Sequence, residues 1–140
     1  MSGSPSTPGP RAPWRWGSHT SSSKRAVTYH APCDLGRSSG VYEAPRNVNK
    51  AIPDITFTEM AHHHEYALCC GGGGDVEMAD KDLTAAVAQR RMEEAAATEA
   101  QMVLSGCQEC ERTLAEAARR ARIRVRAMDI AELIAKQMVR

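Results

Sequence analysis

Nowhere in the chain does an apolar run approach the roughly 18–20 residues that a membrane-spanning helix needs, so membrane contact would have to come through a partner. The N-terminus has no apolar h-region and does not read as a secretory signal. An excess of charge is also missing. Lys and Arg total 18 against 17 Asp and Glu, a net charge of +1, which removes the electrostatic case for binding nucleic acid or an acidic membrane surface. No Gly-x-Gly-x-x-Gly follows the first strand-like segment, and no Gly-Lys-Ser/Thr follows Gly71–Gly74. Neither a dinucleotide nor a Walker-type phosphate site is therefore argued. The cysteines lack an even count: five cannot pair internally. Without export the expected compartment is the reducing cytoplasm, where cysteines serve as ligands or redox groups more often than as disulfides.

What is present is the length and composition of one globular domain, 140 residues with 42% hydrophobic and 25% charged. Residues 1–23 stand apart. They are rich in Ser, Pro and Gly, and Trp14 and Trp16 fall in no periodic pattern, so a disordered leader is expected. From residue 24 to residue 140 strand and helix patterns alternate. Arg25–His30 reads as a strand, and Pro45 as the first residue of a helix with an apolar stripe at Ala44, Val48, Ala51 and Ile52. Ile55–Met60 reads as a second strand, with Ile55 and Phe57 alternating against Thr56 and Thr58. Asp80 caps a long helix reaching about Thr98, and Ala100–Ser105 is a third strand. Glu109–Ala121 is a helix with Leu114, Ala117, Ala118 and Ala121 on one face. Ile123, Val125 and Ala127 alternate with Arg122, Arg124 and Arg126 as a fourth strand. Asp129 and Glu132 form a capping-box pattern ahead of a last helix with Ile130, Leu133, Ile134 and Met138 as its stripe.

Four β-α units require crossover connections, hence a parallel sheet of right-handed units in an α/β, Rossmann-like three-layer domain. Strands 1 and 3 have the apolar character of central strands, and strands 2 and 4 the mixed character of edges. The expected order is 2-1-3-4, with a topological switch point between strands 1 and 3.

Every cysteine falls just after a strand. Cys33 follows strand 1, Cys69 and Cys70 follow strand 2, and Cys107 and Cys110 follow strand 3, with 35 and 36 residues between the three stations. Loops after parallel strands emerge at the carboxyl edge of the sheet, where open α/β folds bind ligands. Five soft thiolates at one mouth exceed the needs of tetrahedral zinc and match the count a large iron–sulfur cluster can use. Gly71 and Gly72, opening the glycine run, let backbone N–H groups approach sulfur. Cys107 and Cys110 straddle a helix start, where the macrodipole favours thiolate. His30 either hydrogen-bonds a sulfur of the site or packs as a core histidine. His62–His64 reads as a solvated loop. Arg37 and Arg46 are candidates for balancing an anionic site or meeting an acidic partner surface.

These residues resemble the cysteine-rich CCG domain of heterodisulfide reductase catalytic subunits and of glycolate oxidase-type iron–sulfur subunits. The resemblance rests on Tyr29-His30-Ala31-Pro32-Cys33-Asp34-Leu35-Gly36-Arg37, on Tyr42-Glu43-Ala44-Pro45-Arg46, on Leu68 to Met78 around Cys69-Cys70-Gly71-Gly72-Gly73-Gly74, and on Cys107-Gln108-Glu109-Cys110. It implies a [4Fe–4S]-type cluster, non-cubane in the heterodisulfide reductase branch, held by Cys33, Cys69, Cys70, Cys107 and Cys110, one of them bridging irons. It also implies electron transfer to or from a disulfide, a quinone or a linked dehydrogenase, alongside partner subunits carrying flavin or ferredoxin-type clusters. A peripheral place at the inner face of the membrane would be reached through such a partner. Ala31 departs from the Asp common in the family, so any carboxylate hydrogen bond from that position is absent. The second copy of the domain and the upstream ferredoxin segment usual in relatives are not in this chain, and a truncated or split gene product is the expectation. The alternative reading is a zinc-binding structural or interaction module using four of the same cysteines, among them Cys107, Cys110 and Cys69 or Cys70. A dithiol oxidoreductase using Cys107 and Cys110 alone is a third.

Overall fold

The computed structural model describes residues 24–138; the expected leader lies outside the described residues, and so does the extreme C-terminus. Four strands alternate with five α-helices. In chain order these are β1 (Arg25–Tyr29), α1 (Glu43–Ala51), β2 (Ile55–Phe57), α2 (Val76–Ala79), α3 (Lys81–Ala97), β3 (Met102–Ser105), α4 (Gln108–Ala121), β4 (Arg126–Asp129) and α5 (Ile130–Gln137). The sheet is parallel throughout, in the order β2-β1-β3-β4, as the strand character predicts. Val27 pairs with Phe57 on one side and Met102 on the other, so β1 and β3 are central and the crossover changes direction between them.

Alternation along the strands divides the core in two. Val27, Tyr29, Met102, Leu104 and Met128 face one way, beneath Ile52 at the end of α1 and Leu133 of α5. Val103 and Ala127 face the other way, beneath Ala88, Met92 and Ala95 of α3 and Leu114, Ala117 and Ala118 of α4. The result is a three-layer α/β/α sandwich. The cap of α3 forms as expected, the Asp80 side chain accepting from Leu83 N–H at 2.9 Å.

Three local expectations are corrected. Helix α1 starts two residues before Pro45, and its buried face is polar: Ala44, Val48 and Ala51 are exposed while Arg46 and Asn49 are buried. Arg46 turns inward because its guanidinium stacks 5.3 Å from the Tyr29 ring centroid and pairs with Glu59. Strand β4 begins at Arg126 rather than Ile123. The chain leaves α4 through a left-handed Arg122 (φ 54°), with Ile123 N–H on Ala118 C=O and Arg122 N–H on Arg119 C=O. This Schellman closure spends Ile123 on ending the helix, so pairing starts later. In α5 only half of the capping box forms. Asp129 accepts from Ala131 N–H at 2.7 Å, but Glu132 pairs with Lys136 instead of turning back.

Candidate metal centre

The β-α loops deliver the cysteines to the carboxyl edge of the sheet in two settings. Cys33 and Cys69 are exposed, Cys107 is half-buried, and Cys70 and Cys110 are buried; none is in a disulfide. Cys33 immediately precedes a π-helical turn, Asp34–Ser38, whose closing Ser38 N–H returns to Cys33 C=O at 2.9 Å. Cys107 stands at the N-cap of α4 and Cys110 in its first turn. The sulfur atoms of Cys70 and Cys110 and a ring nitrogen of His30 lie within 4.8 Å of one another.

Buried sulfurs this close share protons unequally. Cys70 is pushed well below the ordinary thiol range, chiefly because the Cys110 S–H donates to it; burial opposes, and His30 and Gly72 N–H add donors. Cys110 is pushed up by the same hydrogen bond and by burial, and keeps its proton. Cys69 is raised by burial, against the Gly71 N–H that donates to its sulfur at 3.2 Å. Burial lowers His30 below its usual range, so the ring is neutral.

The glycines have two jobs here. Gly71, at φ 86°, could carry no side chain, because a Cβ would sit 2.8 Å from Val87 Cβ on α3. A Cβ on Gly72 would sit 2.2 Å from Thr113 Oγ1 on α4. Close packing under both helices thus brings the Gly71 and Gly72 N–H groups to sulfur. Nothing lies within 4 Å of a Cβ built on Gly73 or Gly74.

A cleft of about 180 Å³ opens beside the exposed thiols, lined by Pro32, Cys33, Arg37, His64, Leu68 and Cys69. Among the described residues, the group whose ligand atoms all lie within 4.8 Å of one another is His30, Cys70 and Cys110; Cys33, Cys69 and Cys107 stand outside it on the same sheet edge. Soft thiols with backbone N–H donors at two of them are a donor chemistry that fits an anionic metal–sulfur group.

Residues 27–115 match the cysteine-rich domain family designated CCG. The chain belongs to this family. Among curated proteins, the CCG domain is 40% identical over 114 residues to one of the subunits of the dihydromethanophenazine:CoB–CoM heterodisulfide reductase of Methanosarcina mazei, an overlap of 81% of this chain and 28% of the relative. It is 33% identical over 115 residues to the probable iron-sulfur-binding oxidoreductase FadF of Bacillus subtilis, covering 81% of the chain and 16% of FadF. Over 109 residues it is 29% identical to one of the subunits of the CoM/CoB fumarate reductase of Methanothermobacter marburgensis, covering 77% of the chain and 22% of that relative. The chain therefore spans less than a third of the length of each of these relatives.

Around the CCG thiols, some sequence expectations are redirected. His62, His63 and His64 do lie in an exposed to half-buried loop, and their rings are paired there: His62 bonds Glu94, His63 meets His64 at 2.6 Å, and His64 bonds Glu43 at 2.6 Å. Arg46 is buried and neutralised by Glu59, so it does not balance the thiolates. Arg37 does line the cleft, against the carbonyls of Glu65 and Ala67. The residue missed from sequence is Arg91, buried in α3 and bonded to His30, Glu94 and the His62 carbonyl. A signal existed: Arg91 occupies the α3 stripe between Ala88 and Ala95 at helical spacing.

No described helix is long and apolar enough to cross a membrane.

Proposed function

We propose that this CCG domain is an iron–sulfur redox module of a larger heterodisulfide reductase-like oxidoreductase, holding a [4Fe–4S]-type cluster through Cys33, Cys69, Cys70, Cys107 and Cys110. The observation that carries the reading is the placement of five free thiols on three separate β-α loops at one sheet edge, with Cys70 and Cys110 within 4.8 Å of each other. When bound, such a cluster supplies one-electron transfer at thiolate-ligated iron.

The chain's own groups have distinct parts in this. Cys70 and Cys110 anchor the buried side of the site, while Cys33 and Cys69 border the cleft from which a disulfide, a quinone or a partner's redox group would approach. Gly71 N–H and Gly72 N–H stabilise thiolate sulfur without adding bulk. The N-terminus of α4 places its partial positive charge under Cys107 and Cys110. Electrons need further centres to enter and leave, so partner subunits with flavin or ferredoxin-type clusters complete the path.

Iron, acid-labile sulfide and zinc measured after anaerobic purification, with electron paramagnetic resonance on the oxidised protein, test the assignment. Iron and sulfide in matching amounts with a paramagnetic signal support it. Stoichiometric zinc without sulfide replaces it with the zinc-module reading.

A further inference from the structure

The sheet face under α3 and α4 ends at its carboxyl edge in two polar side chains. β1 and β3 pair Thr28 with Val103 and Tyr29 with Leu104, and His30 N–H continues the ladder onto Leu104 C=O at 2.8 Å. His30 and Ser105 are thus the next neighbours. Ser105 lies two residues beyond Val103, so it shares the α3/α4 face, as does His30, which reaches Arg91 of α3.

Ser105 is 2% exposed, and among the described residues no group is hydrogen-bonded to its hydroxyl. A buried hydroxyl left unpaired is destabilising, so its persistence at the sheet edge needs a reason. His30 has its protonation pattern set by its neighbour. Arg91 is always charged and only donates, so its Nε–H, 3.0 Å from His30 Nδ1, makes Nδ1 the acceptor. A ring whose Nδ1 accepts a hydrogen bond carries its one proton on Nε2. Such a ring has no lone pair left for a metal. It has one N–H left, and the sulfurs of Cys70 and Cys110 lie within 4.8 Å of one of its ring nitrogens.

We propose that His30 and Ser105 form a hydrogen-bonding floor under the cysteine site, donating Nε2–H and Oγ–H to its sulfur atoms, with Arg91 as the positioning residue that fixes the His30 tautomer. The inference rests on the iron–sulfur reading above. Donors to sulfur favour the more negative, reduced state of a cluster, so the floor raises its potential. It also removes His30 from the candidate ligands, although His30 meets the distance requirement for one.

Thr28 provides an internal control. It is buried, its hydroxyl also lacks a partner, and it lies on the same face two residues earlier, about 7 Å farther from the edge at roughly 3.3 Å per residue.

The test uses the full chain, loaded anaerobically with iron and sulfide, in redox titrations followed by electron paramagnetic resonance. S105A and H30L should keep the wild-type iron and sulfide content and shift the midpoint potential negative. The change expected in the reduced-to-oxidised ratio is up to about tenfold, roughly 59 mV for a one-electron couple. H30Q, which retains an N–H, should recover part of the shift, R91K should shift in the same direction as H30L, and T28V should leave the potential in place. Metal-free S105A should unfold in urea no earlier than wild type, because an unpaired hydroxyl has been removed. A fully loaded S105A with an unmoved potential overturns the floor while leaving the iron–sulfur reading standing. An equal shift in T28V does the same. If H30L fails to fold, S105A and T28V still decide. Wild type that takes up no iron and sulfide overturns both readings.

Discussion

Arg91 Nε lies 3.0 Å from His30 Nδ1, a buried hydrogen bond between residues 61 positions apart in the chain. It ties the middle of α3 to the end of β1 and so to the floor of the thiol site. Arg91 Nη1 donates to Glu94 at 2.6 Å and to the His62 carbonyl at 2.9 Å, so one guanidinium joins helix, strand and the histidine loop.

Removing that guanidinium leaves several buried groups unpaired at once. R91M should cost about 3–5 kcal/mol, the usual consequence of breaking a buried, hydrogen-bonded ion pair from one side. R91K, which keeps the charge but not the planar fork, should cost less. Urea denaturation of the metal-free protein measures both. A loss below about 1 kcal/mol for R91M would mean that Arg91 is not structurally coupled to the site.

Glu94 makes part of the same network sensitive to acid. Burial pushes its carboxyl up, but the His62 N–H, the Arg91 guanidinium and the His62 ring outweigh it, and its value ends below the ordinary 4.5. A depressed carboxylate contributes stability that is complete above the unfolded value and disappears as pH falls through the folded one. Metal-free wild type should therefore lose stability below about pH 4.5, more steeply than E94Q. Parallel acid limbs for the two proteins would contradict this.

The glycine run should divide sharply under substitution. G72A places a Cβ 2.2 Å from Thr113 Oγ1 and should destabilise by about 1–3 kcal/mol through overpacking. T113A in the same chain should restore much of the loss, giving a non-zero coupling in a double-mutant cycle. G73A meets nothing within 4 Å and should stay within about 0.5 kcal/mol of wild type. Equal effects at the two positions would refute the packing argument.

Single Cys→Ser changes address the ligand set. Each of the five should lower bound iron and sulfide. C33S should do so with little change in metal-free stability, within about 0.5 kcal/mol, because Cys33 is exposed. Iron and sulfide contents in C33S matching wild type would rule out the five-ligand arrangement.

Much of this architecture was legible in the residues because its signals are local. Two-residue alternation marked the strands, Asp80 and Asp129 marked helix starts, and the apolar character of β1 and β3 set the sheet order. Where local signals failed, a distant group had intervened. The α1 stripe departs from its apolar periodicity because Arg46 finds Tyr29 and Glu59 and turns inward, leaving Val48 at the surface. The start of β4 moved because closing α4 through a left-handed Arg122 used up the residue that alternation assigned to the strand. Arg91 sat in plain view on a helical stripe, but its partner His30 is far away in sequence.

Spacing and periodicity alone located the five thiols, at the ends of three parallel strands and hence along one sheet edge. It took the packed fold to make them unequal. Cys70 and Cys110, the latter in the first turn of α4, are enclosed in the core that α3 and α4 form with the sheet, where low polarity and close contact leave one thiolate and one thiol, while Cys33 and Cys69 stay open to a cleft. The physical reason is that burial, dielectric and hydrogen-bond partnership depend on which distant elements meet, and adjacent residues such as Cys69 and Cys70 can fall on opposite sides of that division.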